Sequence, residues 1–130
     1  MYKNVKLWQN SIVDFYLENG YIESVGGFKR YGPLSDFQVF NTPIQGTAFH
    51  LLLDGLRRID EEMTRREMKS RIIIEIHDSL TFDADPDELE EIMEITNKIL
   101  CSKRFDWQGD VPLILEWSYS TDNWLNMEDF

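Results

Sequence analysis

A chain of 130 residues, 42% hydrophobic and 13% aromatic, can bury one core and is too apolar to remain disordered. Its net charge of −11 argues against a free-standing duplex binder, because phosphate neutralisation needs surplus Lys and Arg. The single cysteine, Cys101, excludes an internal disulfide or a Cys-based zinc site, and no run approaches the ~20 apolar residues of a membrane span or a signal-peptide core.

In chain order, Val5, Trp8, Ile12, Phe15 and Tyr16 give residues 2–19 a helical period, closed by Gly20 as a C-terminal cap. Tyr21 to Val25 and Phe28 to Tyr31 flank Gly26-Gly27 and predict a small hairpin. A long helix follows over residues 36–70, with Ile44, Ala48, Leu51, Leu52, Ile59 and Met63 as its buried stripe. Pro43 should kink or restart it, giving two pieces joined near residues 41–43, and Thr42-Pro43-Ile44-Gln45 fits a capping box. Most of its Arg and Glu residues belong to a solvated face with i,i+4 pairing. His50, on the same helix, reads as a packed or half-exposed helix histidine.

Residues 71–84 predict a second hairpin. Ile72, Ile74 and Ile76 should share one face, with Leu80 and Phe82 on the return strand. Its turn is His77-Asp78, with none of the Asn-Gly or Asp-Gly pairs that hairpins favour. A carboxylate on such a tip suits metal binding or phosphate handling; an ordinary Asp turn would look the same. Asp85-Pro86-Asp87-Glu88 places Asp at an N-cap, Pro at N1 and Glu at N3, opening a helix over residues 85–104. Its stripe is Leu89, Ile92, Met93, Thr96, Ile99 and Leu100, with Cys101 as a small core hydrophobe. Residues 105–112 form a loop, and residues 113–124 a final strand and tail. The fold class is α+β: a short antiparallel sheet, made of the central hairpin plus the C-terminal strand, packed against helices. Residues 1–130 form a single partial domain, with residues 1–35 holding the first helix and small hairpin.

Three stretches together resemble the C-terminal palm segment of a family A, DNA polymerase I-like, DNA polymerase. Asn41-Thr42-Pro43-Ile44-Gln45-Gly46-Thr47-Ala48 is similar to that family's Asn-x-Pro-x-Gln-Gly-Thr-Ala segment. Ile76-His77-Asp78-Ser79 resembles its third palm motif, and Gly20-Tyr21-Ile22-Glu23-Ser24 with Lys29-Arg30 resembles its Gly-Tyr-x-x-Thr hairpin. Order and spacing agree over nearly the whole chain.

The resemblance implies template-directed nucleotidyl transfer on primer-template DNA with a dNTP. Asp78 would be one of two aspartates binding paired Mg²⁺ ions, and carboxylate suits a hard cation that retains water and phosphate ligands. His77 would lie against the primer's terminal sugar-phosphate, while Asn41 and Gln45 would reach the minor groove, whose acceptors are alike for all pairs. Gln45 as a capping partner remains open beside that role. Two departures stand out: Ser79 replaces the family's usual Glu, and Phe37 replaces an arginine that faces DNA. The strand with the other metal-binding Asp, the fingers and the thumb have no counterpart here. The resemblance therefore implies one part of a split, phage-type polymerase, in the cytoplasm of a bacterial or phage-infected cell. A second chain would supply the fingers, the rest of the palm and the thumb. Met1 directly before helical sequence fits a natural start, as it would a cloned fragment. A non-catalytic remnant acting as a replication interaction module is the alternative, and a phosphoesterase using Asp78 and His77 a remote third. A half-palm should expose apolar surface, and alone should self-associate or be marginally stable.

Overall fold

The computed structural model describes residues 3–110 and 112–130; the expected helix start at Tyr2 and the loop position Val111 lie outside them. Helix α1 (Lys3–Asn19) stops at Gly20, whose φ of 74° lets its N–H return to the Tyr16 carbonyl at 2.8 Å. Helix α2 (Asp36–Arg65) starts from a capping box upstream of the expected one. The Ser35 N–H donates to Gln38 Oε1 at 3.0 Å, and the Gln38 N–H donates to Ser35 Oγ at 3.4 Å.

The expected break at Pro43 does not occur: α2 is one helix with Pro43 inside it. Thr42 is an interior residue whose hydroxyl donates to the Gln38 carbonyl at 2.7 Å, so the Thr42–Gln45 capping box is absent. Proline removes a single N–H, and burial of Val39 and Thr42 in the turn that precedes it holds the helix through that gap. At its other end α2 stops short of residue 70. Glu67 adopts φ 56°, its N–H donates to the Thr64 carbonyl at 3.0 Å, and the Met68 N–H reaches back to Met63 at 3.1 Å. This is a Schellman close without glycine, and its usual apolar contact is available from Met63 and Met68, both 3% exposed.

The chain divides into two compact units, Met1–Arg57 with Ile72–Phe82, and Arg58–Arg71 with Asp83–Phe130. In the first, β1 (Tyr21–Glu23) pairs antiparallel with β2 (Lys29–Tyr31), placing Ile22 opposite Arg30. Ile22 and Val39 are each 1% exposed and centre this unit's core. Strands β3 (Arg71–Ile76) and β4 (Ser79–Asp83) form the expected central hairpin. Its isoleucine stripe is not buried as expected: Ile73, Ile74 and Ile76 are all exposed, and Ile72 and Glu75 are half-buried. A two-stranded ribbon is too narrow to bury a face by itself. The same openness reaches α2, where Ile44 and Ala48 are exposed rather than buried.

In the second unit, Ile59 and Met63 lie buried at the end of α2, and α3 (Leu89–Leu100) buries Ile92, Ile95, Thr96 and Leu100. A 3₁₀ turn over Pro86–Glu88 precedes α3, and Asp85 Oδ1 accepts the Asp87 N–H at 3.0 Å as the N-cap chemistry predicted. Cys101 is exposed, not a core residue, because α3 ends at Leu100 and Cys101 is its cap. The expected last strand also changes. Only Ser118–Tyr119 (β5) is strand, and it pairs with Glu128–Asp129 (β6) instead of the central hairpin. The tail returns after a short loop at little entropic cost, and Phe130 sits edge-on to Tyr119 with ring centroids 5.4 Å apart. The sheets are therefore three separate antiparallel ribbons within an α+β fold. No helix among the described residues is long and apolar enough to cross a membrane.

Candidate functional site

The two-residue link between β3 and β4 holds His77 at φ 59°, a left-handed conformation that costs a residue with a Cβ about 1–2 kcal/mol. Glycine would adopt it freely, and His77 holds it at that cost. His77, Asp78 and Ser79 are all exposed. The Ser79 hydroxyl donates to the Ile76 carbonyl at 3.0 Å, closing the turn with the group that stands where a further carboxylate was expected. Asp78 thus presents a carboxylate to solvent from a tip pinned on both sides.

Asn41 and Gln45 are four residues apart on α2 and share a face, Asn41 half-buried and Gln45 exposed. Phe37, one turn earlier on that face, is 73% exposed. Residues 37, 41, 45, 77 and 78 all belong to the same compact unit. On β2, Arg30 Nη1 lies 3.5 Å from Thr42 Oγ1, beside Asn41 in sequence. Lys29 sits over the Tyr21 ring at 4.4 Å and 3.8 Å from Glu23. Its ammonium is held above the usual lysine range, chiefly by Tyr21.

Sequence spacing gave no sign of a cluster around His50. Its Nδ1 is 3.1 Å from Ser24 Oγ, and its ring centroid is 5.0 Å from that of Phe28. Partners separated by 26 positions leave no periodic trace.

The residues present offer one side of a metal site and not a whole one. Among the described residues no three His, Cys, Asp or Glu side chains gather to hold an ion. One exposed carboxylate suits Mg²⁺ only where other oxygen ligands come from elsewhere.

A family model described as DNA polymerase family A matches residues 1–126. The chain belongs to DNA polymerase family A. It is 25% identical over 139 aligned positions to a thermostable DNA polymerase I of Thermus thermophilus, covering 98% of this chain and 16% of that protein. A DNA polymerase of Bacillus phage SP01 is 33% identical over 84 residues, 61% of this chain and 9% of that one. Among solved structures, the POL domain of Pol1 from M. smegmatis, in complex with DNA primer-template and dNTP, superposes with a TM-score of 0.68 at 25% identity. That match covers 75% of this chain and 19% of the other. The chain thus spans under a fifth of the length of these relatives.

Proposed function

We propose that the chain is a C-terminal palm part of a DNA-directed DNA polymerase, one partial domain from residue 1 to 130, and that it works only with a second chain. The observation that carries this is a family match running from residue 1 to 126, in which the His77-Asp78 pair lies exposed on a strained turn. Asp78 supplies oxygen ligands to Mg²⁺, and the partner supplies the second carboxylate. Bound metal would lower the pKa of the primer 3′-hydroxyl and offset charge on the departing pyrophosphate. His77 lies against the primer's terminal sugar-phosphate, with its ring direction set by the left-handed backbone. Asn41 and Gln45, carried stiffly on α2, contact the minor groove of primer-template DNA and check the shape of the last pair. The dNTP phosphates need cations from the missing fingers.

The open isoleucines of the central hairpin support a partner chain, since apolar ribbon faces of this kind are covered in a complete domain. A phage origin and a cytoplasmic setting fit the phage polymerase among the relatives. One observation favours the alternative of a non-catalytic interaction module: Ser79 is turned back onto its own backbone and offers no second carboxylate.

Primer extension by the chain mixed with a candidate partner separates the two. Activity should appear only in the mixture and fall to background with Asp78→Ala. Extension indifferent to Asp78→Ala, at unchanged complex formation, sinks the catalytic reading and leaves the module.

A further inference from the structure

The loop joining β1 and β2, residues 24–28, is tied to α2 at two points. The Val25 N–H donates to Thr47 Oγ1 at 2.9 Å, and the Thr47 hydroxyl donates to the Pro43 carbonyl at 2.5 Å. Ser24, 3% exposed, accepts the Phe28 N–H at 3.2 Å, and we assign its hydroxyl proton to His50 Nδ1, 3.1 Å away. That assignment makes Nδ1 the acceptor and places the ring proton on Nε2. The Phe28 ring, packed against the imidazole, covers the joint. A loop carrying two glycines would otherwise move freely on its helix.

The ribbon's register gives the joint a consequence. Arg30 stands opposite Ile22, so its side chain leaves on the face that packs inward, and its guanidinium reaches Thr42 at 3.5 Å. Lys29 leaves on the other face, over Tyr21.

We propose that Thr47 and His50 are positioning residues that lock loop 24–28 onto α2 and so hold Arg30 against Thr42, next to Asn41 in sequence, where it meets a backbone phosphate of duplex DNA. This rests on the reading of Asn41 and Gln45 as duplex contacts. Arg30 is the cation placed by the lock.

The test is anisotropy of a fluorescein-labelled primer-template duplex with the full chain mixed with its candidate partner, and with that partner alone as the baseline, titrated from low to moderate salt. Arg30→Ala should weaken binding roughly tenfold and reduce the salt slope by about one. His50→Ala and Thr47→Val should do the same, and His50→Ala should add nothing to Arg30→Ala. His50→Asn keeps an acceptor at the Nδ1 position and Thr47→Ser keeps the hydroxyl, so both should restore affinity and slope. A fold defect alone would not restore the slope with those pairs, nor spare the Arg30→Ala background. If Arg30→Ala weakens binding but His50→Ala and Thr47→Val do not, or add to it independently, the lock is wrong and the duplex reading stands. If the duplex does not bind, or Arg30→Ala leaves it unchanged, the duplex reading fails first and the lock with it.

Discussion

The two compact units divide the chain's chemistry unequally. Met1–Arg57 with Ile72–Phe82 carries five basic against seven acidic residues, whereas Arg58–Arg71 with Asp83–Phe130 carries eight against seventeen. The net charge that argued against nucleic-acid contact thus belongs mostly to the unit without the candidate site residues. The first unit leaves more of its large apolar side chains open, among them Phe37, Ile44, Ile73 and Ile76, whereas those open in the second, such as Ile114 and Leu125, lie in its C-terminal segment. The second is bound together by charge. Glu62 holds Arg65 and Arg66, Arg66 reaches Glu91 at 2.6 Å, and Lys69 reaches Asp85 at 2.9 Å. Glu88 accepts the Lys69 N–H, the Ser70 N–H and the Ser70 hydroxyl. One unit exposes more apolar surface; the other is a frame tied by ion pairs.

The sharpest way to break this contrast is to hollow each unit in turn. Ile59, fully buried in the second, should cost about 2–5 kcal/mol on Ile59→Ala. Ile73→Ala in the first, at a residue 55% exposed, should fall within about 0.5 kcal/mol. Urea unfolding of the two variants measures both, and equal losses would erase the distinction.

A smaller loss is expected from Ser70→Ala. Its hydroxyl, in a residue 1% exposed, accepts the Asp85 N–H at 2.9 Å and donates to Glu88, and its removal should cost about 1–3 kcal/mol. A melting temperature identical to wild type would show the frame does not depend on it.

Acid should act on the second unit through its carboxylates. Arg65, then Arg66, holds Glu62 down to about 2 from its ordinary 4.5. Lys69 lowers Asp85, and the Ser70 hydroxyl lowers Glu88. A folded pKa below the unfolded one stabilises fully above the unfolded value and is lost as pH falls through the folded value. The melting temperature should therefore hold above pH 4.5 and decline toward about 2, less steeply in Glu62→Gln.

The finest comparison uses the two left-handed non-glycine residues, Glu67 in the second unit and His77 in the first. Glycine at either should stabilise by up to about 1 kcal/mol, by relief of the Cβ clash. Only His77→Gly should lower primer extension in the reconstituted polymerase. Equal loss of extension from Glu67→Gly would remove the argument that strain at His77 serves the site.

Local chemistry made several features legible. Gly20 marks the end of α1, Asp85-Pro86 marks the approach to α3, and His77-Asp78 marks the turn between β3 and β4. The segment from Asn41 to Ala48 pointed to the polymerase family that residues 1–126 match. Other readings failed where neighbours in space outvote neighbours in sequence. Pro43 announces a break, yet burial of Val39 and Thr42 carries α2 past it. Residues 113–117 have strand composition, yet only β5 forms strand, paired with the returning tail, whose Phe130 N–H also reaches the Trp117 carbonyl at 3.0 Å.

What sequence alone determined is whatever a few adjacent residues can enforce: caps, turns, helical period and the identity of the motif-bearing side chains. Tertiary structure decided which faces are covered, where the charge collects, and that Ser24 meets His50. Those outcomes depend on apolar burial and on hydrogen bonds between groups distant along the chain, and neither has a fixed spacing to read.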